Sequence, residues 1–175
     1  FDLEGVRSMR ENPGHLNTSP FTSYNYHGKG NFASMVDVVI LGATEVDINF
    51  NANVVTHSDG YLLHGIGGWM NCLFSKCVIL PIPLFRDRMP VIREQVTTIC
   101  GPGELIDVIV TERGIAINPL RTDLIEKLKG STLPIKTIHQ LKDEAEKICG
   151  KPALPVLSDE YRRHQVGRWY RDRRR

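Results

Sequence analysis

The stretch that most constrains this chain runs over residues 36–71, VDVVILGATEVDINFNANVVTHSDGYLLHGIGGWMN. It opens on four consecutive apolar residues, Val38-Val39-Ile40-Leu41, a run that suits a strand buried on both faces. A polar connection with Glu45 and Asp47 follows, then the asparagines Asn51 and Asn53, then the turn Ser58-Asp59-Gly60. The stretch closes on Gly65-Ile66-Gly67-Gly68. Glycines this close behind a strand let the backbone approach a ligand, or take φ > 0 where a side chain would clash.

The rest of the chain supplies layers around it. Residues 1–35 are rich in turn formers and read as loops, with one short helix before Asn12. Strands are expected at 36–41, 45–50, 54–56, 77–82, 96–100, 105–111 and 115–117, many with consecutive apolar residues, as in a sheet covered on both faces. Asn118-Pro119 reads as a cap and first-turn proline for a helix ending at Gly130, its apolar face being Leu120, Leu124, Ile125 and Leu128. Thr137 with Gln140 forms a capping box for a second helix, with Ile138, Leu141, Ala145 and Ile148 on one face before Gly150. Strands followed closely by helices give an α/β layered domain.

At 175 residues the chain is expected to hold one domain, residues 1–157, and a tail over 158–175. Seven arginines fall within 161–175, which leaves 15 basic against 19 acidic residues in 1–160, a net charge of −4. The net charge of +2 for the whole chain therefore belongs to the tail, read as solvated, disordered or truncated rather than as a nucleic-acid site. No apolar run reaches the ~18 residues that cross a bilayer, and the first residues lack the features of a signal peptide. The opening reads as the middle of a longer protein. Cys72, Cys77, Cys100 and Cys149 form no CxxC, so neither a metal site nor a disulfide framework is expected. Free thiols in a reducing cytoplasm fit better.

Several groups carry chemistry in principle. Backbone N–H groups of Gly65, Gly67 and Gly68 can form an oxyanion or thioester-carbonyl site, or the segment can be a tight turn. It is neither a Rossmann fingerprint nor a Walker loop. Glu45 and Asp47 point the same way on a strand, where acid–base work competes with the favoured structural or solvated role. Asn51 and Asn53 share that spacing; they suit a carboxylated or amide-bearing substrate, or turn stabilisation. His57-Ser58-Asp59 has triad residue types, but adjacency rarely gives triad geometry, so a turn is expected. His64 stays open between polar contact and packing. Arg86 and Arg88 suit an anion or an ordinary surface equally. No nucleophile stands out.

Six segments together carry a resemblance: NPGHLNTS at 12–19, DVVILGATEVDINFNANV at 37–54, SDG at 58–60, the Gly67-Gly68 pair, DVIVTERGIAINP at 107–119, and the LIEKL helix. In this order the chain resembles the α subunit of citrate lyase, in the class I CoA-transferase family, over about residues 1–157. The resemblance implies a CoA-transferase-like α/β domain with a mainly parallel sheet covered by helices, the second of two similar halves. It implies a cytoplasmic transferase that exchanges acetyl for citrate on an acyl carrier protein, releasing acetate. A β subunit then cleaves the citryl thioester to oxaloacetate within an oligomeric complex. The CoA-derived prosthetic group belongs to the carrier, or γ, subunit as co-substrate, with no cofactor held tightly by this chain. Gly67 and Gly68 correspond to the thioester-binding loop and Asn51 and Asn53 to substrate-side contacts; Gly65 joins the first group and Asn71 the second as candidates of this sequence. The family's catalytic glutamate falls upstream of residue 1.

Two departures stand out. The family's glycine pair is followed by a histidine, a small residue and an aspartate; here Trp69, Met70 and Asn71 follow. The family's Tyr-Arg-Asp-Gly turn becomes Tyr170-Arg171-Asp172 and three arginines. A related transferase for another carboxylic acid, or a non-catalytic assembly module, are the alternative expectations.

Overall fold

The computed structural model describes residues 2–15, 19, 32–58 and 60–152, so the basic tail and Asp59 lie outside the described residues. Helix α1 (Leu3–Glu11) is the one expected before Asn12; Asp2 caps it, its carboxylate accepting from Gly5 N at 2.7 Å. Strands follow in the order β1 (Val38–Ile40), β2 (Glu45–Asp47), β3 (Ala52–Asn53), β4 (Cys77–Pro81), β5 (Phe85–Arg86), β6 (Met89–Pro90), β7 (Ile92–Arg93), β8 (Val108–Thr111) and β9 (Gly114–Ile117). Helices α2 (Thr122–Lys127) and α3 (Ile138–Cys149) complete the order.

The architecture is α/β. The main sheet has the order β1-β4-β8-β9, with β1, β4 and β8 parallel and β9 returning antiparallel. A smaller sheet, β3-β2-β7, pairs β2 parallel to β7 and antiparallel to β3, and β5-β6 is a hairpin. Val78, Leu80 and Ile109 join Val46, Ile92 and Ile106 in one continuous core. Helix α3 closes it, burying Ile138, Leu141 and Ala145 and packing against β6, β7 and β9. The Thr137–Gln140 capping box is present with both reciprocal bonds, and Gly150 ends the helix at φ 83°.

Several elements differ from expectation, each for a local reason. Segment 45–50 is a strand only to Asp47. Asp47 Oδ1 accepts from Asn49 N and Asn51 N, a side-chain-closed turn, and Phe50 adopts φ 65°. Pairing then resumes at 52–53 rather than 54–56. Segment 96–100 is no strand: Val96 N and Thr97 N donate to the Asp47 and Glu45 carboxylates instead of to a ladder. Segment 105–111 begins in a 3-10 turn (Gly103–Leu105) before β8.

Asn118 is not the cap of α2. Its Nδ2 donates to Gly103 O at 2.8 Å and Ile106 O at 2.7 Å, pulling the side chain into the core, and α2 starts only at Thr122. The apolar face expected on this helix is consequently poorly covered, with Leu120 69% exposed. Ile148, expected on the buried face of α3, is 51% exposed. Strand β1 also lacks cover: Val38 and Ile40 are 51% and 67% exposed, since it is an edge strand with no described element over that face.

Arg121, just before α2, bonds the Asp123 carboxylate with two nitrogens at 2.8 and 2.9 Å and pairs with Asp107 Oδ1 at 2.8 Å. Asp107 Oδ2 in turn accepts from Val78 N at 2.6 Å, tying α2 to the start of β4. The Arg121 hydrogen bonds hold the Asp123 carboxyl down at about 2. Among the described residues no helix is long and apolar enough to cross a membrane.

Candidate functional site

Two groups of sequence-singled residues end in opposite environments. The first is a buried polar hub on β2. Glu45 is 1% exposed; its Oε1 accepts from Asn53 Nδ2 and Thr97 N, both at 3.0 Å, and its Oε2 from Ser58 Oγ at 2.8 Å. Arg93 Nε lies 2.8 Å from the same Oε2 as a close ion pair, although its N–H is not aligned for a hydrogen bond. Asp47 accepts from Asn49 N, Asn51 N, Asn51 Nδ2 and Val96 N at 2.9–3.3 Å.

The asparagines belong to this hub. Asn53 is fully buried; its amide nitrogen contacts Glu45 and Thr56, while its oxygen accepts from Val55 N and Thr56 N. Asn51 donates to Asp47 and accepts from Gly103 N at 2.9 Å. Both amides are thus occupied within the chain, the turn-stabilising role left open by the sequence. Glu45 and Asp47 are equally occupied, matching their favoured structural reading.

The second group is the glycine loop at 65–68, and it is open. Upstream, His57 N donates to Tyr61 O, Gly60 N to His57 O and Ser58 Oγ to Glu45, while the turn expected at Ser58-Asp59-Gly60 includes Asp59, which lies outside the described residues. Leu63 N and His64 N both reach Val55 O, and His64 Nδ1 sits 2.9 Å from Gly65 O. Downstream, Trp69 N donates to Ile66 O and Asn71 N to Gly68 O, starting the 3-10 helix Trp69–Phe74. Between them the N–H groups of Gly65, Ile66, Gly67 and Gly68 have no acceptor among the described residues. Gly67 needs its missing side chain, at φ 57°, and around Gly65 and Gly67 nothing lies within 4 Å of where a Cβ would sit.

The loop is also well placed. Trp69 Nε1 donates to Gly42 O at 2.8 Å, which ties it to the chain just past the end of β1. Carboxyl ends of parallel strands are where open α/β sheets bind ligands. Asn71, one turn into the 3-10 helix, is half-buried, and its side chain has no bond among the described residues. Burial pushes the nearby Cys72 thiol up, which disfavours a thiolate nucleophile.

Arg86 and Arg88 lie elsewhere, on the β5–β6 hairpin. Arg86 donates to Thr44 O at 3.3 Å, and Asp87 and Arg88 form the turn with φ 47° and 64°. A separate cavity of about 540 Å³ lies between α2 and α3, lined by apolar groups such as Phe50, Ile125, Leu128 and Ile138. It shares no lining residue with the glycine loop. No group of three or more metal-ligating side chains occurs among the described residues.

Sequence reasoning missed Arg93, Thr97 and Gly103. The first two lie 48 and 52 residues from Glu45, with no local pattern linking them. Gly103 had a signal in Gly101-Pro102-Gly103: a Cβ there would fall 1.9 Å from Asn49 O.

The chain matches, over residues 1–168, the family model described as citrate lyase, alpha subunit (CitF). The chain belongs to this family. It is 42% identical over 153 residues to the citrate lyase alpha chain of Haemophilus influenzae, and 40% identical over 160 residues to that of Klebsiella pneumoniae. These alignments cover 87% and 91% of this chain but 31% and 32% of the relatives, so it spans about a third of their length. Among solved structures it superposes on the citrate lyase α subunit of Streptococcus mutans, determined in complex with citrate, with a TM-score of 0.83 at 39% identity. That superposition covers 87% of this chain and 30% of the other.

Proposed function

We propose that this chain supplies the thioester-binding part of a citrate:acetyl-carrier transferase, the citrate CoA-transferase component of citrate lyase. The observation that carries the reading is the run of four amides at 65–68 with no acceptor among the described residues, in a chain of the citrate lyase α family. The co-substrate is an acyl carrier protein bearing a CoA-derived prosthetic group. Citrate and acetate are the exchanging acids. The partners are the β and carrier subunits of an oligomeric lyase in the cytoplasm.

The chemistry asks for such donors. A carboxylate attacks the thioester carbonyl carbon, and the C=O π pair moves to oxygen as an oxyanion. Gly65, Gly67 and Gly68 N–H groups stabilise that charge; collapse expels the thiolate and leaves an acyl anhydride. Carboxylate exchange and thiolate return then give citryl-carrier and acetate. The attacking glutamate is the one expected upstream of residue 1. An oxyanion-hole donor is worth about 100- to 1000-fold in turnover. Asn71 is the side chain left to meet the incoming acid, while Asn51 and Asn53 act from behind by shaping the β2–β3 turn.

The test is acetate release from acetyl-carrier on adding citrate, using the native assembly that contains this chain and variants Gly65→Val and Gly68→Val. Exchange in the wild type that collapses in both variants, with folding intact, supports the reading. A silent wild-type assembly sinks it and leaves a docking module. Preference for another acid moves it to a related transferase.

A further inference from the structure

Three candidates outside the hub stand out: the cavity between α2 and α3, the bare face of β1, and the indole that follows the glycine loop. Nothing identifies an occupant for the first two. The third has a definite geometry.

We propose that Trp69 is the positioning residue of the glycine loop, the side chain that keeps its four amides aimed together. The inference rests on the reading of residues 65–68 as the thioester site. The loop cannot hold itself: three of its four residues are glycine, Ile66 is its one side chain, and its amides make no internal bonds. A segment of that composition has much conformational entropy to lose on ordering. Trp69, directly after Gly68, is attached on two sides. Its indole N–H donates to Gly42 O at 2.8 Å, past the end of β1. The far edge of its ring fills the space over Gly101, where a Cβ would fall 2.7 Å from Cη2 and 2.8 Å from Cζ3.

Gly101 is itself fixed. It exchanges backbone bonds with Ala52 at 2.9 and 3.0 Å, beside the β2–β3 pair, and a Cβ there would also meet Ile106 Cδ1 at 3.2 Å. The ring thus bridges two separate parts of the fold, the β1–β2 connection and the 100–103 segment, and packs against the core. Gly101 and Trp69 are complementary: the missing methyl makes room for the ring. The backbone bond from Trp69 N to Ile66 O passes this anchorage directly into the loop.

Two measurements test this, on Trp69→Ala (ring and donor lost), Trp69→Phe (donor lost) and Gly101→Ala (ring displaced, Trp69 retained). The first is amide hydrogen exchange in the full chain at Leu63, His64 and Asn71, the bonded amides on either side of the loop. Trp69→Ala is expected to speed exchange there by tenfold or more, an order-of-magnitude figure for local opening, with β4 and β8 unchanged. Trp69→Phe, which loses one hydrogen bond, is expected to speed it by about fivefold, and Gly101→Ala should fall between. Unchanged loop exchange in Trp69→Ala overturns the proposal.

The second is acetyl-to-citrate exchange in the native assembly. Trp69→Ala should lower kcat with the KM for citrate held, and Trp69→Phe should recover most of it. A purely structural role would lower the folded fraction and leave kcat per folded molecule unchanged, which also overturns the proposal. If the wild-type assembly does not exchange at all, the transferase reading fails; loop exchange alone then decides whether Trp69 holds the loop.

Discussion

The hub on β2 and the loop at 65–68 use backbone and polar groups in opposite ways. In the hub, two carboxylates, two asparagines and an arginine are buried, and nearly every donor and acceptor is matched inside the chain. In the loop, four consecutive N–H groups have no acceptor among the described residues, and nothing lies within 4 Å of where a Cβ of Gly65 or Gly67 would sit. Charged side chains drew attention in the sequence, yet chemistry needs groups whose bonding capacity is left over. The hub gives rigidity; the loop, held by it, has donors to offer.

That contrast can be broken from its strong side first. Glu45→Ala removes the acceptor for Asn53, Ser58 and Thr97 and leaves Arg93 buried without its partner. Breaking a buried pair this way costs about 3–5 kcal/mol, so the urea midpoint should fall steeply; a drop within error would show that the hub is solvated in solution. Gly103→Ala comes next, since its new Cβ meets Asn49 O. Backbone must move there, at about 1–3 kcal/mol by analogy with overpacking, read again from the denaturation midpoint.

Away from the hub, effects shrink. Thr137→Ala deletes one arm of the α3 capping box and should cost about 1 kcal/mol, checked by thermal unfolding. The Arg121–Asp123 fork works through pH. Asp123 has its folded value lowered from 3.8 to about 2 by the Arg121 hydrogen bonds. A depressed carboxyl adds stability above the unfolded value and loses it as pH falls through the folded one. Asp123→Asn should therefore be less stable than wild type above pH 4, and the two curves should converge by about pH 2. Parallel curves down to that pH would remove the carboxylate from the account. The smallest stability effect is expected where function is most exposed: Gly65→Val enters open space and should stay within ~0.5 kcal/mol of wild type. A large destabilisation there would make the loop structural, and the comparison with the hub would dissolve.

Much of this was legible in the chain. The helix before Asn12, the parallel core strands and the Thr137–Gln140 box follow from local periodicity and side-chain chemistry, which act over a few residues. Segment 96–100 and Asn118 were misread for one reason. Their apolar or capping character is local, but their donors are satisfied by Glu45, Asp47, Gly103 and Ile106, far away or around a turn.

The sequence by itself determined the family, the α/β layering and the presence of a glycine-rich loop, because ordered motifs and hydrophobic period are properties of neighbours along the chain. Only the tertiary structure decided which polar residues were already occupied. It set Arg93 against Glu45, put Trp69 over Gly101, and left the amides of residues 65–68 without acceptors among the described residues. Hydrogen-bond capacity is used up by neighbours in space, and adjacency along the chain carries no record of it.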